Sequence, residues 1–146
     1  ILQNLQVRLR QAEVPVKKMF SADLTLTTHR NANASTDSGT SYDLVIADVP
    51  CTGSGTWART PEQLVYFKRE QLAVYVEKQR SILRNTVPMI RNGGYLLYVT
   101  CSVFRAENEA QVEWMQKEQG LQLIRSACFT GYSNKADTLF AALLTV

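Results

Sequence analysis

Two cysteines in this sequence stand where a thiol can do chemistry. Cys51 falls in Asp48-Val49-Pro50-Cys51-Thr52-Gly53-Ser54-Gly55, and Cys101 falls in Thr100-Cys101-Ser102. Each motif follows an apolar run, Tyr42 to Ala47 and Tyr95 to Val99, that reads as a buried strand of a parallel sheet. Ligands bind outside the carboxyl ends of strands in open α/β sheets. Both thiols and the Asp48 carboxylate are therefore expected at one edge of one sheet. A cysteine attacks through its thiolate, and a helix N-terminus nearby lowers the thiol pKa. Cys101, between a strand and an expected helix, meets that condition. The small residues Thr52 to Gly55 let backbone approach a ligand closely, and Asp48 can act as acid, base or hydrogen-bond partner. Cys128, in Arg125-Ser126-Ala127-Cys128-Phe129-Thr130, reads as core packing. The single histidine, His29, has no metal-ligand partners and reads as a solvated surface residue.

Composition narrows the classes. The 146 residues suffice for one domain with a core. No apolar run approaches the roughly 18 residues of a membrane span, and the opening ILQNLQVRLRQ is too polar for a signal peptide. Three cysteines without CxxC spacing argue against a disulfide framework, a zinc site or any other metal centre. They favour a reducing, cytoplasmic setting. A net charge of +3 permits a polyanionic partner without requiring one.

The elements that must position the cysteines follow from pattern. Leu2, Leu5, Leu9 and Ala12 have helical spacing, and Pro15 stops that helix. Val16 to Phe20 reads as a short strand ending at Ser21-Ala22-Asp23. Thr27 to Ser41 is polar, aperiodic and expected as an exposed loop. Pro61 to about Ile90 reads as one long helix with Leu72, Tyr75, Val76, Gln79, Leu83 and Val87 on one face and Pro88 bending or ending it. Its basic residues Lys78, Arg80 and Arg84, with Arg91, read as a solvated face, the sharper alternative being phosphate contact. Asn92-Gly93-Gly94 is a turn. Ala106 to Gln119 is an amphipathic helix with Ala110, Val112 and Met115 inward and Gly120 as its stop. Leu121 to Ile124 and the apolar run from Asp137 to Val146 are expected to pair antiparallel at the sheet edge. Alternating helices and strands make the chain α/β.

These residues resemble a known family. Asp48 to Gly55 is similar to the DAPCSGxG motif of the RNA cytosine-5 methyltransferases, the Sun/NOL/NOP family, and Thr100-Cys101-Ser102 followed by Glu107-Asn108-Glu109 is similar to their TCS…ENE motif. Arg59-Thr60-Pro61-Glu62, Gln79 to Leu83 and Gly93-Gly94-Tyr95-Leu96 fall in family order. Asp137 to Leu143 resembles the terminal DGFF-x-A-x-L strand, with Thr138-Leu139 in place of Gly-Phe. The resemblance implies a Rossmann-like class I methyltransferase fold, S-adenosylmethionine as cofactor and RNA, ribosomal or transfer, as substrate. It implies Cys101 as the thiol that adds to cytosine C6, Cys51 as the residue assisting product release, and Asp48 on the N3 edge of the base. Asp23 would contact the cofactor adenine, and Asp48 and Pro50 would complete the cofactor site. Arg59, Lys68, Arg69 and Arg105 are candidates for holding the RNA backbone. Glu107-Asn108-Glu109 is expected to fix the Cys101 turn rather than touch substrate, since acidic residues favour a first helical turn.

The family's glycine-rich cofactor loop and the acidic residue that holds the ribose have no match here. The expectation is therefore the C-terminal portion of a catalytic domain over residues 1–146, lacking the first two strands, with weak cofactor binding and little activity by itself. The strand from Tyr42 would then have an open apolar edge, to be filled by Val16–Phe20 or by a second copy. Three other readings compete. A DNA cytosine-5 methyltransferase uses the cysteine after proline, but in a GPPCQ-like loop, and lacks the second thiol. An inactive RNA-binding or assembly module fits the absent cofactor loop but not the two cysteines. A thiol redox protein lacks its CxxC.

Overall fold

The structure, a computed structural model, describes residues 2–26 and 41–146. His29 and the polar stretch from Thr27 lie outside the described residues except Ser41. Helix α1 spans Leu2–Gln11. Strand β1 is Tyr42–Asp48, helices α2 and α3 are Glu62–Tyr66 and Glu70–Thr86, and strand β2 is Ile90–Thr100. Helix α4 is Glu109–Gln119, and strands β3 and β4 are Gln122–Phe129 and Leu139–Thr145. No helix among the described residues is long and apolar enough to cross a membrane.

The described strands form one four-stranded sheet in the order β1-β2-β4-β3. β1 and β2 are parallel with Ala47 opposite Tyr98 and Asp48 opposite Val99, so both run out at the same edge. β4 pairs antiparallel with β2 and with β3, as the terminal apolar run suggests. On β2 the alternation is strict from Gly94 to Thr100. Leu96, Tyr98 and Thr100 are fully buried, facing Leu83 of α3 and Val112 and Met115 of α4 in one core with Phe140, Ala142 and Leu144 of β4. The opposite face is more open, with Leu44, Ile46 and Tyr95 exposed. Gly120 stops α4 in the left-handed region at φ 73°, a conformation that favours glycine.

Several expectations are corrected. Val16–Phe20 is irregular and exposed rather than a strand. A strand needs a hydrogen-bonding neighbour, and β1 pairs only with β2 among the described residues, so the expected direct pairing does not occur. The long helix breaks in two at Phe67, which takes an extended conformation (ψ 130°). Its ring packs 5.1 Å from Trp57 and 5.3 Å from Phe104, and this tertiary contact overrides local helix propensity. Pro88 does end α3, in a 3-10 turn over Val87–Met89. Gly93-Gly94 lies within β2 rather than before it. Gly93 has φ 70°, and the pairing with β1 slips between Tyr42 and Leu44, so the turn chemistry appears as a bulge. Helix α4 starts at Glu109, later than expected, and a 3-10 turn over Arg105–Glu107 precedes it. Cys128 is exposed, not core, because β3 is an edge strand with only Ala127 partly covered. The basic residues are not simply solvated. Arg80 lies over the Trp114 ring and donates to Gln111 Oε1, Arg84 lies over the same ring, and Arg91 pairs with Asp43.

Candidate active site

The parallel register of β1 and β2 delivers the two cysteine loops side by side. Cys51 Sγ and Cys101 Sγ lie 3.4 Å apart, both partly buried. Gly55 N–H donates to the Cys101 carbonyl at 2.9 Å, and Thr138 N–H donates to the Gly55 carbonyl at 3.0 Å. The loop after β2 and the loop before β4 are thereby tied together through one glycine. A Cβ on Gly55 would sit 2.1 Å from the Thr138 carbonyl oxygen and 3.0 Å from that of Cys101. Neither backbone atom can retreat without losing those bonds. Gly55→Ala is therefore expected to cost about 1–3 kcal/mol by overpacking, read as a lowered melting temperature. An unchanged melting temperature would show that the loops have slack.

A polar network fixes the loops from below. Glu107, fully buried, accepts from Thr52 N–H at 3.0 Å and Thr52 Oγ1 at 2.6 Å, and from Ser102 Oγ at 2.6 Å and Gln79 Nε2 at 3.0 Å. Because Ser102 gives its hydrogen to the carboxylate, the 3.1 Å contact between Ser54 and Ser102 has Ser54 as donor. Ser54 in turn accepts from Val103 N–H at 2.9 Å. Gln79, also fully buried, donates to the Pro50 carbonyl at 3.1 Å and accepts from Gln111 Nε2 at 2.8 Å. Asn108 accepts from Thr100 Oγ1 at 2.6 Å and donates to the Ser102 carbonyl at 2.8 Å, bracketing Cys101. The expectation that Glu107 and Asn108 fix the Cys101 turn is met, but by side-chain hydrogen bonds rather than by the helix dipole. Glu109 is exposed.

The thiol pair divides one task unequally. The Cys51 S–H donates toward Cys101 and, with a backbone bond, lowers the Cys101 pKa from 9.0 to about 7, against burial and the nearby carboxylates of Asp48 and Asp137. The same hydrogen bond, reinforced by burial, pushes the Cys51 thiol strongly upward. Cys101 is thus the more acidic thiol of the pair and Cys51 the less acidic. The cause is the neighbouring cysteine, not the helix terminus anticipated from sequence. Since thiolate forms as pH rises, alkylation of Cys101 by iodoacetamide should climb through a midpoint near pH 7 while Cys51 stays unreacted. Peptide mass spectrometry across a pH series checks this, and a Cys101 midpoint at an ordinary thiol's value would contradict it.

The other expected site residues fall in different places. Asp48, at the end of β1, is exposed and close enough to Cys101 to oppose its ionisation. Pro50 is exposed, its carbonyl held by Gln79. Asp23 lies in a turn where its Oδ1 accepts from Thr25 N–H and Oγ1 at 3.0 and 2.6 Å. That turn is docked by Asn85, which donates to the Leu24 carbonyl at 2.8 Å. Asn85 is about 9 Å further along α3 than Gln79, at 1.5 Å per residue. Arg59 is engaged by Asp137, its Nε and one terminal nitrogen donating at 3.2 and 2.8 Å, and Arg105 pairs with Glu113. Lys68 and Arg69 are exposed. Trp57, Phe67 and Phe104 form a ring cluster beside the cysteine loops, and Trp57, Phe67 and Thr52 line a shallow cavity with Tyr66 and Tyr75. No group of residues able to hold a metal ion occurs among the described residues.

The family model for the 16S rRNA methyltransferase RsmB/F matches residues 2–142. The chain belongs to the RsmB/F methyltransferase family. It is 40% identical over 75 residues to ribosomal RNA small subunit methyltransferase B of Xylella fastidiosa, covering 51% of this chain and 18% of that protein. It is 36% identical over 74 residues to the mouse tRNA (cytosine(72)-C(5))-methyltransferase NSUN6, covering 51% of this chain and 15% of that one. The chain thus spans about a sixth of the length of these relatives over the matched region. Among solved structures, PH0851 superposes with a TM-score of 0.81 at 22% identity, over 99% of this chain and 34% of that one. NSun6 from Pyrococcus horikoshii, solved with SFG, gives 0.77 at 21% identity, over 99% and 38%. The fold is that of the Rossmann-like methyltransferases.

Family membership leaves the aromatic cluster and the reach of Glu107 as features the sequence did not show. Thr52 and Glu107 are 55 positions apart, and only the register of β1 on β2 brings them together. Gln79 was legible as a residue of the inward helix face, but its polar contacts were not.

Proposed function

We propose that the protein transfers a methyl group from S-adenosylmethionine to C5 of a cytosine in RNA, ribosomal RNA first, with Cys101 as the attacking thiol. The observation that carries this reading is the thiol pair: Cys51 and Cys101 lie 3.4 Å apart at the carboxyl edge of two parallel strands, a contact that lowers the Cys101 pKa. The names of relatives that act on small-subunit ribosomal RNA and on cytosine 72 of tRNA support the substrate class.

Cytosine C5 is a weak nucleophile. Addition of the Cys101 thiolate to C6 forms a sulfur–carbon bond and moves the C5–C6 π electrons toward C5, splitting one hard step into easier ones. Asp48, exposed at the strand end, would bond the N3 edge of the base. After C5 has been methylated, its proton passes to water, the C5–H electron pair re-forms the C5–C6 double bond, and the sulfur–carbon bond breaks so that Cys101 departs as thiolate. The Cys51 thiol, 3.4 Å from Cys101, would stabilise that departing sulfur by donating its S–H to it. S-adenosylmethionine, when bound, supplies an electrophilic methyl group as a sulfonium cation. The donor set fits such a cation, since Asp48 and Asp23 carry exposed carboxylates. With Pro50, they are the residues that would hold it.

The target base must leave its stack to reach a thiol in this position. Arg59, Lys68 and Arg105 would hold the backbone around it. Arg59 and Arg105 are 66% and 68% exposed in their ion pairs. Exposed pairs are worth little, so phosphates can displace Asp137 and Glu113 cheaply. A reducing cytoplasm keeps both cysteines as thiols. The relatives are several times longer than this chain, and we take the reaction to need that length. This chain alone should bind the cofactor weakly.

The test is methyl incorporation. The full-length gene product is incubated with small-subunit ribosomal RNA and methyl-labelled S-adenosylmethionine, and the digested nucleosides are separated. Label in 5-methylcytidine supports the reading; label confined to another nucleoside, or to DNA offered in parallel, contradicts it.

A further inference from the structure

The geometry points to Glu107 as the positioning residue that sets the two thiols against each other, acting through Thr52 and Ser102. The inference rests on the reading of Cys101 as nucleophile and concerns how its pairing with Cys51 is maintained. Glu107 is fully buried, and no salt bridge to it occurs among the described residues. A carboxylate in that setting is costly unless its oxygens are hydrogen-bonded. Here each oxygen takes two donors, which fills the acceptor capacity of a carboxylate.

The identity of the donors gives the arrangement its meaning. Two come from Thr52, the residue after Cys51, and one from Ser102, the residue after Cys101. The fourth comes from Gln79, whose other donor holds Pro50, the residue before Cys51. One carboxylate therefore grips the flanks of both cysteines. Apolar packing of the same volume would stabilise a core at least as well. What four converging donors add is a defined separation between two loops that come from different strands. That separation lets the Cys51 S–H reach Cys101, so loosening it should return Cys101 toward an ordinary thiol.

Glu107→Gln keeps the shape and leaves one oxygen for Thr52 N–H and Gln79, but puts an amide donor against the Thr52 and Ser102 hydroxyls. Thr52→Val removes one hydroxyl donor and retains the backbone one, whereas Thr52→Ser retains both. The measurement is the rate of Cys101 alkylation by iodoacetamide across pH, followed by peptide mass spectrometry, with folding verified by thermal melting. In Glu107→Gln and Thr52→Val the midpoint should move upward and the rate at neutral pH fall at least about fivefold, while Thr52→Ser keeps the original profile. Folded variants whose midpoint stays near 7 would overturn the proposal and leave Glu107 a purely structural residue. If Glu107→Gln does not fold, the Thr52 pair alone decides. The thiol assay needs neither RNA nor cofactor, so its outcome is independent of whether methyl transfer is observed. In the full-length gene product, Glu107→Gln should lower kcat with the KM for RNA unchanged. A change confined to KM would also count against the proposal.

Discussion

Cys101→Ala in the full-length gene product should lower methyl transfer to RNA at least about a thousandfold, equivalent to roughly 4 kcal/mol of barrier, with the fold intact. The size follows from the chemistry. Without a thiolate at C6, nothing pushes electrons onto C5, and the substitution removes the whole covalent route rather than one interaction. Cys51 does not take over, because burial still raises its thiol pKa once the larger effect of the Cys101 contact is gone. The side chain is only half-buried and small, so truncation leaves little cavity. Single-turnover methylation of RNA by wild type and variant, with melting curves for both, measures the effect. A loss of less than about tenfold would remove Cys101 from the covalent step.

Cys51→Ala should have a different signature: addition proceeds, but release stalls. Two effects of the 3.4 Å contact combine. The Cys51 S–H is the largest cause of the lowered Cys101 pKa, and a thiol of higher pKa is a poorer leaving group. A protein–RNA adduct on unmodified RNA should therefore accumulate, visible as a slower band on a denaturing gel, where wild type shows little. Turnover should fall by at least about a hundredfold on the general acid–base scale. A Cys51→Ala protein that turns over normally without adduct would assign release to another group.

Much of this site was readable from sequence because it depends on strand ends. An apolar run followed by a cysteine motif predicts where the thiol sits, and the parallel register of β1 on β2 put Cys51 and Cys101 at one edge as expected. What sequence could not show depends on contacts across that register. The helix dipole was the natural reason for a low Cys101 pKa, but the residues after Cys101 form a loop and a 3-10 turn before α4, and the neighbouring thiol supplies the effect. Glu107 looked like a residue of a first helical turn; its bonds to Thr52 arise only once two loops meet. Val16–Phe20 failed as a strand because apolar spacing indicates a strand only where a partner is available. The break at Phe67 escaped notice because ring packing against Trp57 and Phe104, not a proline or glycine, causes it.

The central claim is that Cys101 bonds covalently to cytosine C6, and RNA carrying 5-fluorocytidine tests it most directly. Fluorine at C5 cannot leave as a proton does, so the adduct cannot resolve. With S-adenosylmethionine present, the wild-type full-length gene product should form a denaturation-resistant complex with this RNA, and peptide mapping should place the nucleotide on Cys101. Cys101→Ala should form none. A complex that survives in Cys101→Ala and disappears in Cys51→Ala would contradict the account and make Cys51 the nucleophile.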